Sequence, residues 1–349
     1  MASDQDLVVE TVRDILAGHE PFVLSPERPW DDGLWRDLAE AGLTGVGLPE
    51  EAGGSGGEPA DAVAVVRTLA AGAAAVPVAE QILVAGPALL AAGLDLPSPE
   101  EPLSVAAAGA VTAERSDGGW SLTGTATDIP WSGVAAHLAV LAAGPSGPVL
   151  ARVAADGLDA SDARNLAGEP RGSVVFDGTP ADAAELTFEQ AEELRARHAL
   201  ARAVQLSAAA EQVLAWTVQY AGERQQFGRP LGRFQAVQVE LAQMAGEVTA
   251  AAALTDAAVQ VLEHGGDLTI AAAAAKVRAG AAVEVVAGLG HQVHGAIGFT
   301  QEYRLHHLTR RLWSWRDEAG SELHWARVLG AGLVARSGDD LWGALTRAV

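Results

Sequence analysis

The chain has 349 residues, a formal net charge of −22, no cysteine, and 49% hydrophobic residues. That length exceeds one ordinary core, so two or three domains are expected. The acidity argues against a nucleic acid or an anionic membrane surface as partner, and the lack of cysteine excludes disulfides and thiolate metal sites. Alanine clusters at Ala251–Ala253 and Ala271–Ala275, and alanine is the best helix former. No apolar run reaches the length of a spanning helix, and Met1–Glu10 lacks the basic and apolar regions of a signal peptide. A cytoplasmic protein is therefore expected.

From the N-terminus, Leu7, Val8, Val12, Ile15 and Leu16 predict an amphipathic helix over Gln5–Gly18. Further helices are predicted over Asp31–Ala41, Asp61–Ala75 and Val78–Ala92, the first of these stopped by the glycines and proline of 42–54. A Pro/Glu/Ser cluster at Pro97–Pro102 marks a domain boundary. Beyond it the pattern turns short and strand-like. Asp117-Gly118-Gly119 before Trp120–Ala126 is a hairpin signal, and Leu138–Ala142, Pro148–Val153 and Gly172–Phe176 read as further strands. Helical texture returns over Ala191–Gly222, Phe234–His264, Leu268–Gly288 and Ser321–Val334. Long helices with short links predict a four-helix bundle. The expected fold is mainly α with a small antiparallel β domain: helical residues 1–102, a shortened β domain over 103–188, and a helical bundle over 189–349.

Chemistry-bearing residues concentrate in the last third. In Arg224-Gln225-Gln226-Phe227-Gly228, an arginine at a helix end can donate paired hydrogen bonds to diphosphate oxygens. Phe227 can lie against a flat ring, and Gln235 can bond a ribose or phosphate. The competing view is a solvated arginine favoured by the helix dipole. In Gln292-Val293-His294-Gly295-Ala296, small residues let a ligand approach the backbone, or Gly295 simply ends a helix. His291 and His294 stand one helical turn apart, a spacing that can share an ion, but no acidic ligand stands at matching spacing and no metal site is expected. In Asp317-Glu318-Ala319-Gly320-Ser321-Glu322, Glu318 is either a base or part of an acidic turn with Ser321 as N-cap.

Together, these segments resemble the flavin-binding and catalytic segments of the acyl-CoA dehydrogenase family. The resemblance covers nearly the whole chain and is specific in its C-terminal third. It implies a helix–sheet–helix-bundle architecture, FAD as cofactor and an acyl-CoA thioester as substrate. In the family, the arginine motif and a Gln-x-x-Gly-Gly segment reach the FAD held by the neighbouring subunit. The resemblance therefore implies that Arg224, Phe227, Gln235, Gln292, Gly295 and Ala296 contact FAD, with Ala296 replacing the second glycine. Glu318 falls at the family's catalytic carboxylate in Tyr-Glu-Gly-Thr-x-Glu, where α-proton abstraction needs a carboxylate in a dry pocket. Ala319 and Gly320 replace Gly and Thr, so a hydroxyl contact to the flavin is missing. Some members place the base on the preceding long helix, where this chain has His198. Arg195, Arg197 and Arg202 are candidates for CoA phosphates or for a solvated face.

One departure stands out. The family's Thr-Glu-Pro…Gly-Ser-Asp loop is absent around Ser104–Ala110, and Asp128–Gly133 only partly echoes its Trp-Ile-Thr/Ser segment. Three functions stay open. The chain is a self-sufficient homotetrameric dehydrogenase using Glu318, or a non-catalytic partner of a longer family member in an α2β2 enzyme. Actinobacteria use such heteromers on bulky steroid-side-chain CoA thioesters. The third option is an oxidase or monooxygenase of the same superfamily. The alanine-rich faces Ala251–Ala258 and Ala271–Ala281 are expected to admit close packing in a dimer or tetramer.

Overall fold

The structure, a computed structural model, describes residues 4–20 and 22–337. Its contacts divide the chain into two compact units, Met1–Val66 with Ala74–Ala201, and Arg67–Ala73 with Arg202–Val349.

The first unit opens with α1 (Asp4–Ala17), α2 (Asp32–Glu40) and most of α3 (Pro59–Ala71). The Asp31 carboxylate caps α2 by accepting from the Leu34 amide at 3.1 Å, satisfying a donor that a helix start leaves free. A π-helical stretch, Glu80–Ala85, runs into α4 (Gly86–Ala91). Pro87 has no N–H for the Leu83 carbonyl, and the Gly86 amide reaches back to Gln81 instead, widening the turn.

Six strands follow: β1 (Leu103–Ala106), β2 (Ala108–Ser116), β3 (Gly119–Pro130), β4 (His137–Ala143), β5 (Pro148–Ala154) and β6 (Arg171–Glu185). The expected hairpin is present, with Ser116 opposite Gly119 and Arg115 opposite Trp120. β2, β3, β6, β5 and β4 pair antiparallel in that order, and the Thr112–Ala143 pair brings β4 back to β2. The sheet so closes on a core that includes Leu122, Ile129, Val140, Val149 and Phe176. β1, not anticipated from sequence, adds to β4 in parallel.

The second unit takes its helices from α5 (Phe188–Glu223, from Arg202 onward), α6 (Gln235–His264), α7 (Leu268–His294), α8 (Leu305–Asp317) and α9 (Glu322–Ser337). A short hairpin, β7 (Gln225–Gln226) and β8 (Arg229–Pro230), projects between α5 and α6. α7 is central and packs on α6, α8 and α9. Ala271, Ala272, Ala273, Ala275, Ala279 and Ala282 are buried within this unit, as are Ala251 and Ala258. These small side chains bring α6 and α7 of one chain close together, while Ala253 and Ala281 on the same stretches stay exposed. α8 was also unexpected. Its buried stripe of Leu305, Leu308, Leu312 and Trp315 has helical spacing, interleaved with four His and Arg residues that disguise it.

Candidate functional site

The side chains singled out by sequence collect at two levels along α5 and α7. Arg202 and Lys276 stand at one level. Tyr220 and His294 stand at the other, the same number of residues further along each helix, which at 1.5 Å per residue is about 27 Å.

At the Tyr220 level, α5 ends in the arginine motif. The Arg224 amide donates to the Tyr220 carbonyl and the Leu231 amide to the Arg224 carbonyl, both at 2.8 Å. Phe227 (φ +51°) and Gly228 (φ +76°) are both left-handed, as a two-residue hairpin turn of the primed type requires. A bulky residue with positive φ at a tip is costly, and here it presents a ring that is 91% exposed. The Phe227 ring meets Phe234 edge-on at 6.2 Å, and the Arg229 guanidinium lies 4.0 Å over Phe234. Arg224 and Gln235 are exposed.

Beside this hairpin, α7 ends at His294, with Gly295 at φ +62° as its cap. Gln292, Gly295 and Ala296 are exposed, and a Cβ at Gly295 would meet no atom within 4 Å. The Tyr220 and His294 rings stack at 4.5 Å. One ring contact thereby joins the end that carries Arg224 to the end that carries Gln292, Gly295 and Ala296. The histidines face inward: His294 bonds Gly290 and Tyr303, and His291 Nε2 bonds Thr309. Burial lowers the pKa of both, helped for His291 by His306 and for His294 by His291 and Arg304, against backbone bonds that raise it.

At the other level lies Glu318. It follows α8 in extended conformation, and Ala319 (φ +53°) and Gly320 (φ +93°) then turn the chain into α9. Glu318 Oε2 is 2.9 Å from Arg202 Nε, with the carboxylate side chain 17% and the arginine 1% exposed. Lys276 Nζ donates to the carbonyls of Arg316 at 2.6 Å and Gly320 at 3.0 Å. Trp325 Nε1 donates to the Ala319 carbonyl at 2.7 Å, and Arg316 pairs with Glu322. Ser321 Oγ does cap α9, accepting from the His324 amide at 3.3 Å, but Glu318 is not a solvated acid. The Glu318 side chain and the Arg316, Ala319 and Gly320 carbonyls are each tied to a neighbour.

The other sequence candidates divide differently. Arg195 and Arg197 pair with Glu192 and Glu193 on their own helix, and Arg202 faces Glu318 rather than solvent. His198 is buried. Only Ala107 separates β1 from β2, which leaves no room for the loop found missing from the sequence. Trp131 is buried, its Nε1 donating to Glu80 Oε2 at 3.1 Å and its ring 5.7 Å beneath the Arg171 guanidinium. Sequence reasoning missed Arg202 as the partner of Glu318, and it missed Lys276 altogether. The available signal was that Lys276 is the chain's single lysine.

Residues 188–326 match the acyl-CoA dehydrogenase C-terminal domain family and residues 2–95 its N-terminal domain family. The acyl-CoA dehydrogenase IpdE2 of Mycobacterium tuberculosis is 30% identical over 309 residues, covering 87% of this chain and 89% of IpdE2. Among solved structures, a chain of the Tcur3481–Tcur3483 steroid ACAD is 29% identical with a TM-score of 0.84, covering 95% of this chain and 98% of that one. A chain of the ChsE4–ChsE5 complex from Mycobacterium tuberculosis is 26% identical with a TM-score of 0.86, covering 96% and 98%. With that identity carried over almost the full length of both proteins, this chain belongs to the acyl-CoA dehydrogenase family of oxidoreductases.

Proposed function

We propose that this chain is the non-catalytic partner subunit of a heteromeric, FAD-dependent acyl-CoA dehydrogenase acting on a bulky, steroid-side-chain-like CoA thioester. The carrying observation is the ion pair between Glu318 and Arg202. A base for the α-proton must offer a free carboxylate oxygen toward the substrate. Glu318 instead commits Oε2 to a guanidinium that has almost no access to water. Leaving that pair would strand a buried charge, a loss of about 3–5 kcal/mol in fully buried pairs. Glu318 acts as the counter-ion of Arg202 and Lys276.

The residues fit one half of an FAD and not the other. For the diphosphate and adenylate half, the exposed Arg224 guanidinium, the projecting Phe227 ring, Gln235, and the open backbone at Gly295 and Ala296 are suitable donors and surfaces. For the flavin ring, the direct β1–β2 passage and the inward Trp131 provide no cradle among the described residues. When bound, FAD supplies the acceptor for hydride leaving the β-carbon. This chain's part is to hold the diphosphate with Arg224, cover the flat ring with Phe227 and exclude water, while the partner supplies base and ring cradle. The two heteromeric structures among its relatives, one described as a steroid ACAD, point the same way.

The test is co-expression with a longer family member. A yellow complex with fewer flavins than chains is expected, and a colourless chain when expressed alone. A yellow homotetramer with one FAD per chain, reduced by an acyl-CoA, would overturn the assignment in favour of a self-sufficient enzyme using Glu318.

A further inference from the structure

His294 is held on three sides by different elements. Its Nδ1 lies 2.7 Å from the Gly290 carbonyl, an atom that can only accept, so the proton sits on Nδ1. In the neutral ring Nε2 is then a bare acceptor, and the Tyr303 hydroxyl, 3.1 Å away, donates to it. The ring is buried and kept neutral by burial, by His291 and by Arg304. Its face stacks on Tyr220 in the last turn of α5, and Tyr303 meets Tyr220 edge-on at 6.1 Å. Arg304, next to Tyr303, lies 4.3 Å over Trp216 and donates to Gln219 at 3.3 Å, both on α5. The end of α7, the segment around Tyr303 and the end of α5 therefore converge on one imidazole.

The geometry points to His294, with Tyr220 and Tyr303, as a positioning residue that fixes the Arg224 hairpin and the Gln292–Ala296 segment in one register for a shared ligand. The inference deepens the proposed FAD contact and rests on it. Tyr220 sits one helical turn before Arg224 and bonds its amide, and His294 directly precedes Gly295. Displacing the imidazole would loosen the two segments from each other, since no backbone hydrogen bond among the described residues joins them. A histidine that merely closed α7 would need only its Nδ1 bond to Gly290. The second bond and the stack go to other elements, which a cap has no use for.

Hydrogen exchange on the full chain separates the alternatives before any flavin is present. His294→Phe keeps a flat ring but loses both hydrogen bonds. Tyr303→Phe loses only the bond to Nε2, and it keeps the test alive should the first variant fold poorly. Both are expected to speed exchange at the Arg224 and Leu231 amides as well as at 295–300, by about fivefold for each lost bond, over and above any change shared by amides elsewhere in the chain. Faster exchange confined to 295–300 would reduce His294 to a helix cap and overturn the proposal. In the assembled yellow complex, both variants are expected to release flavin faster. If Arg224→Ala hastens flavin loss and the His294 and Tyr303 variants do not, positioning is overturned while the flavin contact stands. If Arg224→Ala itself has no effect, the flavin contact fails first and positioning falls with it, whatever the exchange shows.

Discussion

Lys276 on α7 donates to the Gly320 carbonyl at 3.0 Å and to the Arg316 carbonyl at 2.6 Å, clamping both sides of the loop that displays Glu318. It is the only lysine in the chain and is 0% exposed. An ammonium is a compact charge with three donors, whereas a guanidinium is a wide planar fork. The carbonyls at the end of α8 carry the negative end of a helix dipole and suit a cation.

The clamp predicts the behaviour of two substitutions. Lys276→Met leaves two part-buried carbonyls without this donor, at up to about 1–3 kcal/mol each, and leaves Glu318 facing Arg202 alone. Lys276→Arg keeps the charge but needs volume that a fully enclosed site does not have. Both variants are expected to melt well below the parent. In the native parent, an amine-reactive reagent should leave the Lys276 peptide unlabelled until the chain unfolds. A Lys276→Arg variant as stable as the parent would show that any cation suffices.

Stability is expected to respond to pH at both ends. Burial and the nearby Arg202 push Lys276 from 10.5 down to about 8, against an upward pull from Glu318, Asp317 and Glu322. Between those values the unfolded chain still holds a proton that the native state has released, so this contribution to stability rises with pH across that window. Burial, with His306, Arg311 and Arg310, lowers His307 from 6.5 to about 4, and His291 and His294 shift the same way. A histidine with a lowered native pKa gives full support above 6.5 and loses it as pH falls toward the native value. Melting temperature should therefore drop from pH 6.5 toward 4, and His307→Leu should flatten that drop. An unchanged slope in the variant would assign the acid limb to other groups.

Glu318→Gln separates counter-ion from base. As counter-ion, Glu318 leaves Arg202 buried without its anion when neutralised, and the melting temperature falls. The cost stays below that of a wholly enclosed pair because the carboxylate keeps some exposure. Activity of the assembled complex is expected to stay within about tenfold, whereas a general base contributes 10²–10⁴-fold. Lost turnover with an intact melting temperature would make Glu318 the base.

Arg224→Ala tests the other level. Arg224 is exposed and the substitution is expected to leave the folding of the single chain unchanged. In the complex, where the guanidinium would be desolvated against a diphosphate, its truncation is expected to weaken flavin retention by about 2–5 kcal/mol. Equal retention in parent and variant, measured by flavin release on dilution, would remove Arg224 from the site.

Sequence alone revealed most of the architecture, because its signals are local. Asp31 and Ser321 mark helix starts, Asp117-Gly118-Gly119 marks the β2–β3 turn, and alanine runs mark α6 and α7. What it hid depends on distance in space. Nothing local pairs Arg202 with Glu318 across more than a hundred positions, so Arg202 read as a contact for CoA phosphates or as part of a solvated face. α8 escaped because its apolar stripe is diluted by His306, His307, Arg310 and Arg311. The stacking of Tyr220 on His294, which brings the two motifs together, likewise exists only once α5 and α7 lie side by side.

Gly320→Thr asks whether the family's residue can be restored. The family motif that Asp317–Glu322 resembles has a threonine at this position, and its hydroxyl is the contact that the resemblance leaves missing here. Gly320 has φ +93°, where a β-branched residue is strongly disfavoured. A Cβ would also stand 2.6 Å from Trp325 Nε1 and 2.9 Å from His324 Cδ2. The tryptophan is buried and held by the Ala319 carbonyl, so it cannot swing away without breaking that bond. The loop and the Lys276 clamp on the Gly320 carbonyl would have to rearrange together. Gly320→Thr is expected to lower the melting temperature sharply and to confer no flavin binding on the isolated chain. Gly320→Ala should fall in the same direction by a smaller amount, since it adds the clash without the branch. A Gly320→Thr chain that folds like its parent and turns yellow by itself would mean that one missing hydroxyl, rather than the tied-down Glu318 loop, accounts for the proposed lack of flavin in the chain expressed alone.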